Sequence, residues 1–123
     1  MKKKVLVIDD DDQFRLMMRR LLEKEGYAVH EASNGKEGIK AFRKLQTDVV
    51  VTDIIMPEVE GVETILSLRK EFPNVKIIAI SGGGRNAPDG YLVMAQKLGA
   101  EFVMEKPIER KMFLEELKRL TVA

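Results

Sequence analysis

The sequence predicts an α/β domain: five strand–helix units forming a doubly wound parallel five-stranded sheet. Three observations carry this. Short Val- and Ile-rich runs recur at Val5–Ile8, Asp48–Asp53 and Val75–Ser81, as strands buried on both faces require. Longer segments between them place apolar residues at helical spacing. The apolar runs also stop abruptly at a charged or hydroxyl side chain. With 123 residues there is sequence for one core, so a single domain over 1–123 is expected.

The first strand, Val5–Ile8, ends in the acidic run Asp9–Asp12. Phe14, Met17, Met18, Leu21 and Leu22 then form a helical stripe. Asp11 or Asp12 caps that helix, and Gly26 ends it where a left-handed residue is wanted. Tyr27–Ala32 reads as a weaker strand near a sheet edge, with His30 an exposed strand residue. The turn Ser33–Gly35 leads into a helix over Lys36–Gln46, with Ile39, Phe42 and Leu45 inward.

The third strand ends at Asp53, and a loop runs from Pro57 to Gly61. Val62, Ile65, Leu66 and Leu68 give the inner face of a third helix that stops near Phe72–Pro73. The fourth strand ends at Ser81. Gly82–Gly84 and the residues to Gly90 form a long connection without the Lys-Ser/Thr ending of a phosphate-binding P-loop. Tyr91–Leu98 is a short helix closed by Gly99, and Glu101–Met104 is the fifth strand. Lys106 and Pro107 end that strand. Glu109–Leu120 closes the chain as a helix, with Met112, Phe113, Leu117 and Leu120 inward.

A net charge of +1 argues against direct binding to nucleic acid, and no apolar run is long enough to span a bilayer. The absence of cysteine removes thiol chemistry and disulfides and fits a reducing cytoplasm. In open parallel sheets the ligand site lies at the carboxyl ends of the strands, at the switch in strand order. Asp9, Asp10, Asp53, Ser81 and Lys106 should all meet there. Clustered carboxylates repel unless a cation joins them, and hard oxygen donors suit Mg²⁺ or Mn²⁺ better than zinc. A carboxylate can act as nucleophile toward phosphorus, so the set suits phosphoryl transfer.

These residues, together with Met56, Pro57 and Gly61 after Asp53 and Pro107 after Lys106, resemble the receiver domain of two-component response regulators. The resemblance covers nearly the whole chain. It implies a flavodoxin-like strand order, 2-1-3-4-5. It implies that Asp53 accepts a phosphoryl group from a phosphohistidine of a sensor kinase or histidine phosphotransfer protein. Asp10 and Asp53 would ligate Mg²⁺, with Asp9 helping through water and the Ile55 backbone carbonyl as a further ligand. Ser81 and Lys106 would bind the phosphoryl group, and the fourth helix, fifth strand and fifth helix would signal to a downstream protein. A homodimer through the fourth and fifth helices is left open.

Three features depart from the family pattern: Val103 stands where an aromatic residue is usual, Gly82 follows Ser81 in place of alanine, and the Ser81–Gly99 segment is longer. Phe102 should point to the other side of its strand. Ile55 and Gly83, two residues beyond Asp53 and Ser81, supply no group to orient water, so slow self-dephosphorylation is expected. The expected molecule is thus a stand-alone switch, not a turnover enzyme. A metal-dependent phosphatase using Asp53 would want a second acid at position 55, and an inert receiver-like module would not need the intact acid set.

Overall fold

The computed structural model describes residues 2–54, 60–81 and 90–122; at positions 60, 90, 91, 92 and 94 only the backbone is described. Five strands and five helices alternate along them: β1 Lys4–Ile8, α1 Asp12–Lys24, β2 Ala28–Ala32, α2 Gly35–Leu45, β3 Val49–Asp53, α3 Glu60–Glu71, β4 Ile77–Ser81, α4 Gly90–Lys97, β5 Phe102–Glu105 and α5 Arg110–Thr121. All neighbouring strands pair in parallel, in the order β2-β1-β3-β4-β5. This is the doubly wound, flavodoxin-like sheet that the sequence predicts. The order reverses between β1 and β3, which makes that gap the switch point.

Strand alternation explains why the sheet needs helices on both sides. Val5, Val7, Val49, Val51, Ile78 and Ile80 project to one face, where Met18 and Leu22 of α1 and Phe113, Leu117 and Leu120 of α5 cover them. Leu6, Ile8, Val50, Ile77 and Ala79 project to the other, under Phe42 of α2, Ile65 and Leu68 of α3, and Ala95 of α4. Each fully buried Leu, Ile or Phe contributes about 1.5–3 kcal/mol relative to exposure. β1, β3 and β4 are therefore mostly apolar and buried nearly throughout, whereas the edge strand β2 has mixed exposure.

The local signals act as their chemistry demands. Asp11 caps α1, its Oδ1 accepting from the Gln13 and Phe14 amides, and Asn34 caps α2. Gly26 and Gly99 both adopt positive φ after their helices. Two inward assignments are corrected. Leu66 is 54% exposed because the buried stripe of α3 runs through Gly61, Thr64, Ile65 and Leu68, and Leu66 falls on the far side of that turn. Met112 is 49% exposed for the same reason: Phe113, Leu117, Leu120 and Thr121 form the buried stripe of α5. His30 is half-buried on β2, beside Leu6.

Candidate functional site

Four of the five strands place a polar site residue at their carboxyl end. Asp9 follows β1, Asp53 ends β3, Ser81 ends β4 and Lys106 follows β5. Asp9 and Asp53 are only 1% and 4% exposed, an unusual depth for carboxylates. Asp10 beside them is exposed. Carboxylate oxygens of Asp9, Asp10 and Asp53 all lie within 4.8 Å of one another.

Lys106 reaches into this group. Its Nζ is 2.8 Å from Asp9 Oδ2 and donates to Asp53 Oδ2 at 3.3 Å. The ammonium also lies 4.1 Å from the centre of the Phe14 ring, within cation–π range. Burial pulls the Lys106 pKa down, but Asp9 and Asp53 more than reverse it, so it stands above its ordinary value. The peptide after Lys106, to Pro107, is cis.

Asp9 is held from several sides. Its amide donates to the Ala32 carbonyl at the end of β2, and its Oδ1 accepts from the Asp11 amide at 2.8 Å. Its carbonyl accepts from Arg15 Nη1 at 2.5 Å. Its Oδ2 is buried and paired with Lys106 Nζ at 2.8 Å. Three acids, two of them buried, gathered around one ammonium are an environment that a divalent cation fits.

Asp53 is set by α3. A Cβ added to Gly61 would meet the Asp53 carbonyl oxygen and the Ile54 backbone, so only glycine lets the first turn of α3 lie against that strand end. The Thr52 hydroxyl donates to the same carbonyl at 3.1 Å.

The structure thus gathers Asp9, Asp10, Asp53 and Lys106. Ser81 lies at the adjacent strand end and is 3% exposed; its backbone carbonyl accepts the Lys106 amide at 2.9 Å. In register Asp53 faces Ile80, so Ser81 alternates to the sheet face covered by α2, α3 and α4. Val103 packs on that face and Phe102 on the opposite one, as alternation predicts. Ile55, Met56, Pro57, Gly82 and Gly83 lie outside the described residues, as does the connection after Ser81.

Sequence reasoning missed two contributors to the site, both on α1. Phe14 read as a core residue, and nothing local signals its contact with a lysine near the other end of the chain. Arg15 did carry a signal, the (i, i+3) spacing from Asp12, which it contacts.

Comparison with known proteins agrees with this geometry. The profile described as "Response regulator receiver domain" matches residues 5–118. The "Chemotaxis protein CheY" of Thermotoga maritima is 36% identical over 122 residues, which is 98% of this chain and 99% of that protein. The "Sensor kinase CckA" of Brucella abortus is 34% identical over 118 residues; the match spans 94% of this chain but only 12% of the kinase. A "CheY-like" receiver domain protein from Methanospirillum hungatei superposes with a TM-score of 0.87 at 28% identity, over 97% of this chain and 93% of the other. The acids gathered at the switch point, the strand order and these matches together place the chain in the response regulator receiver domain family, whose members take phosphate from histidine kinases and act on downstream targets.

Proposed function

We propose that this chain is a phosphorylation-dependent signalling switch in which Asp53 accepts a phosphoryl group from a sensor kinase or histidine phosphotransfer protein. The observation that carries the reading is the gathering of Asp9, Asp10 and Asp53 within 4.8 Å, with Lys106 paired to two of them, at the switch point of the sheet. In the transfer, a carboxylate oxygen of Asp53 forms a P–O bond as the P–N bond of the donor phosphohistidine breaks. The electron pair stays with the imidazole nitrogen, which takes up a proton.

Lys106 is placed to exchange a carboxylate partner for a phosphoryl oxygen, a role suited to a point charge on a flexible stem. Ser81 would donate its hydroxyl to a second phosphoryl oxygen. Asp9, Asp10 and Asp53, with the Ile55 backbone carbonyl, would hold Mg²⁺, or Mn²⁺ in its place; an all-oxygen donor set without thiolates suits either ion. When bound, such an ion neutralises charge on the carboxylates and on the entering phosphoryl group.

Residues 1–123 are read as one receiver domain working in the cytoplasm, signalling to a downstream protein through α4, β5 and α5. No described helix is long and apolar enough to cross a membrane. A homodimer through α4 and α5 is compatible with this reading, and Val103 leaves that face without the usual aromatic switch.

The test is intact mass after incubation with Mg²⁺ and a small acyl phosphate donor. One added phosphoryl group is expected, absent in Asp53→Asn and without added Mg²⁺. With Ile55 and Gly83 offering no group to orient water, the adduct should decay over minutes to hours. Turnover of unrelated phosphoesters, or no adduct with any donor, would overturn the reading, and decay within seconds would remove the lifetime argument.

A further inference from the structure

We infer that Arg15 is a positioning residue for the carboxylate group: it fixes the turn that displays Asp9 and Asp10 and thereby sets their affinity for Mg²⁺. The inference rests on the reading of that group as a Mg²⁺-dependent phosphoryl site.

Arg15 lies in the first turns of α1, and its side chain is only 14% exposed. Its guanidinium is spread over three partners. Nη1 donates to the Asp9 carbonyl at 2.5 Å, Nη2 to the Asp12 carboxylate, and Nε to Glu31 Oε1 at 3.1 Å on β2. Glu31 is itself held by Arg19, whose Nε donates to Oε2 at 2.5 Å. The next residue of β2, Ala32, accepts the Asp9 amide at 3.1 Å. The peptides on both sides of the Asp9 Cα are therefore fixed, one by β2 and the other by Arg15.

That double hold sets a direction. With both peptides fixed, the Cα–Cβ bond of Asp9 has one orientation, and its carboxylate meets Lys106 and lies among Asp10 and Asp53. The carbonyl that Arg15 grips also belongs to the peptide bearing the Asp10 amide, so the same contact constrains how Asp10 leaves the turn. A planar fork with five donors can serve a carbonyl and two carboxylates at once; an ammonium cannot reach all three. Groups that orient metal ligands without touching the ion commonly change metal affinity 10- to 100-fold when removed.

Charge and position predict opposite signs here. Arg15 is a cation near a proposed cation site, so by charge alone its loss would tighten Mg²⁺ binding. If Arg15 acts by positioning, its loss weakens binding. Arg19 provides the control: it is also paired with Glu31 but makes no described contact with Asp9.

The experiment is calorimetric titration of the full chain with Mg²⁺ alone, without a phosphoryl donor, alongside thermal unfolding in chelator. Arg15→Gln and Arg15→Lys should each weaken Mg²⁺ binding about tenfold, and Arg19→Gln should leave it at the wild-type value. Arg15 variants that bind Mg²⁺ as tightly as wild type or more tightly would overturn the inference. So would Arg19→Gln weakening it equally, which would make the effect one of general stability. If Arg15→Gln does not fold, Arg15→Lys and Glu31→Gln decide by the same readout; Glu31→Gln should fall between wild type and Arg15→Lys. Wild-type protein that binds no Mg²⁺ would remove the proposed function together with this inference, whereas Mg²⁺ binding unaffected by the Arg15 variants removes only the inference.

Discussion

Two carboxylates buried as deeply as Asp9 and Asp53 need positive charge nearby, and Lys106 is placed to supply it. In the proposed function, a metal ion would take over the oxygens that Lys106 now meets and leave the ammonium for a phosphoryl oxygen. Removing the ammonium without replacement strands buried charge. Lys106→Met should therefore cost about 3 kcal/mol of unfolding free energy in chelator, and saturating Mg²⁺ should return part of it. Denaturant unfolding with and without Mg²⁺ measures both quantities. No loss in chelator would mean that the acids are compensated by other groups.

Among the elements, α1 does more than cover the sheet. It caps itself with Asp11, offers Phe14 to Lys106, and ties back to the edge strand β2 through Arg15, Arg19 and Glu31. Glu31 lies below its ordinary pKa, chiefly because Arg19 donates to it; burial opposes that shift and Arg15 adds to it. A carboxylate with a lowered folded-state pKa stabilises the fold above the unfolded-state value, about 4.3. That contribution is lost as pH falls through the lower folded value. Wild type should thus lose more stability than Glu31→Gln below about pH 4.3, the difference at neutral pH being about 1 kcal/mol for a part-exposed network. Unfolding curves across that window check it; parallel pH profiles for the two proteins would show that the pair contributes nothing. The same elements show where sequence reading stops. The helix stripes were legible wherever several apolar residues repeat. Leu66 and Met112 were misassigned because a single apolar residue beside a stripe carries no phase of its own.

At the scale of the molecule, the parallel sheet turns sequence into site. Buried parallel strands are largely apolar, so the polar groups near their carboxyl ends stand out, and Asp9, Asp53, Ser81 and Lys106 could be read there. The switch point then brings β1 and β3 side by side; alternation predicted a parallel sheet, and the strand order came from the family resemblance. The contacts that refine the site were not legible. Phe14 meets Lys106, and Arg15 meets Glu31, only because α1 packs against the sheet face beside β1 and β2, and no local pattern records which side chains such packing pairs. The central claim, that the fold exists to present Asp53, is tested most directly by locating the phosphoryl group. Borohydride reduction of the acyl phosphate, followed by peptide mass mapping, converts the modified aspartate to homoserine. Conversion at position 53 alone is the predicted result; conversion at Asp9 or Asp10, or phosphate found on a hydroxyl such as Ser81, would contradict it.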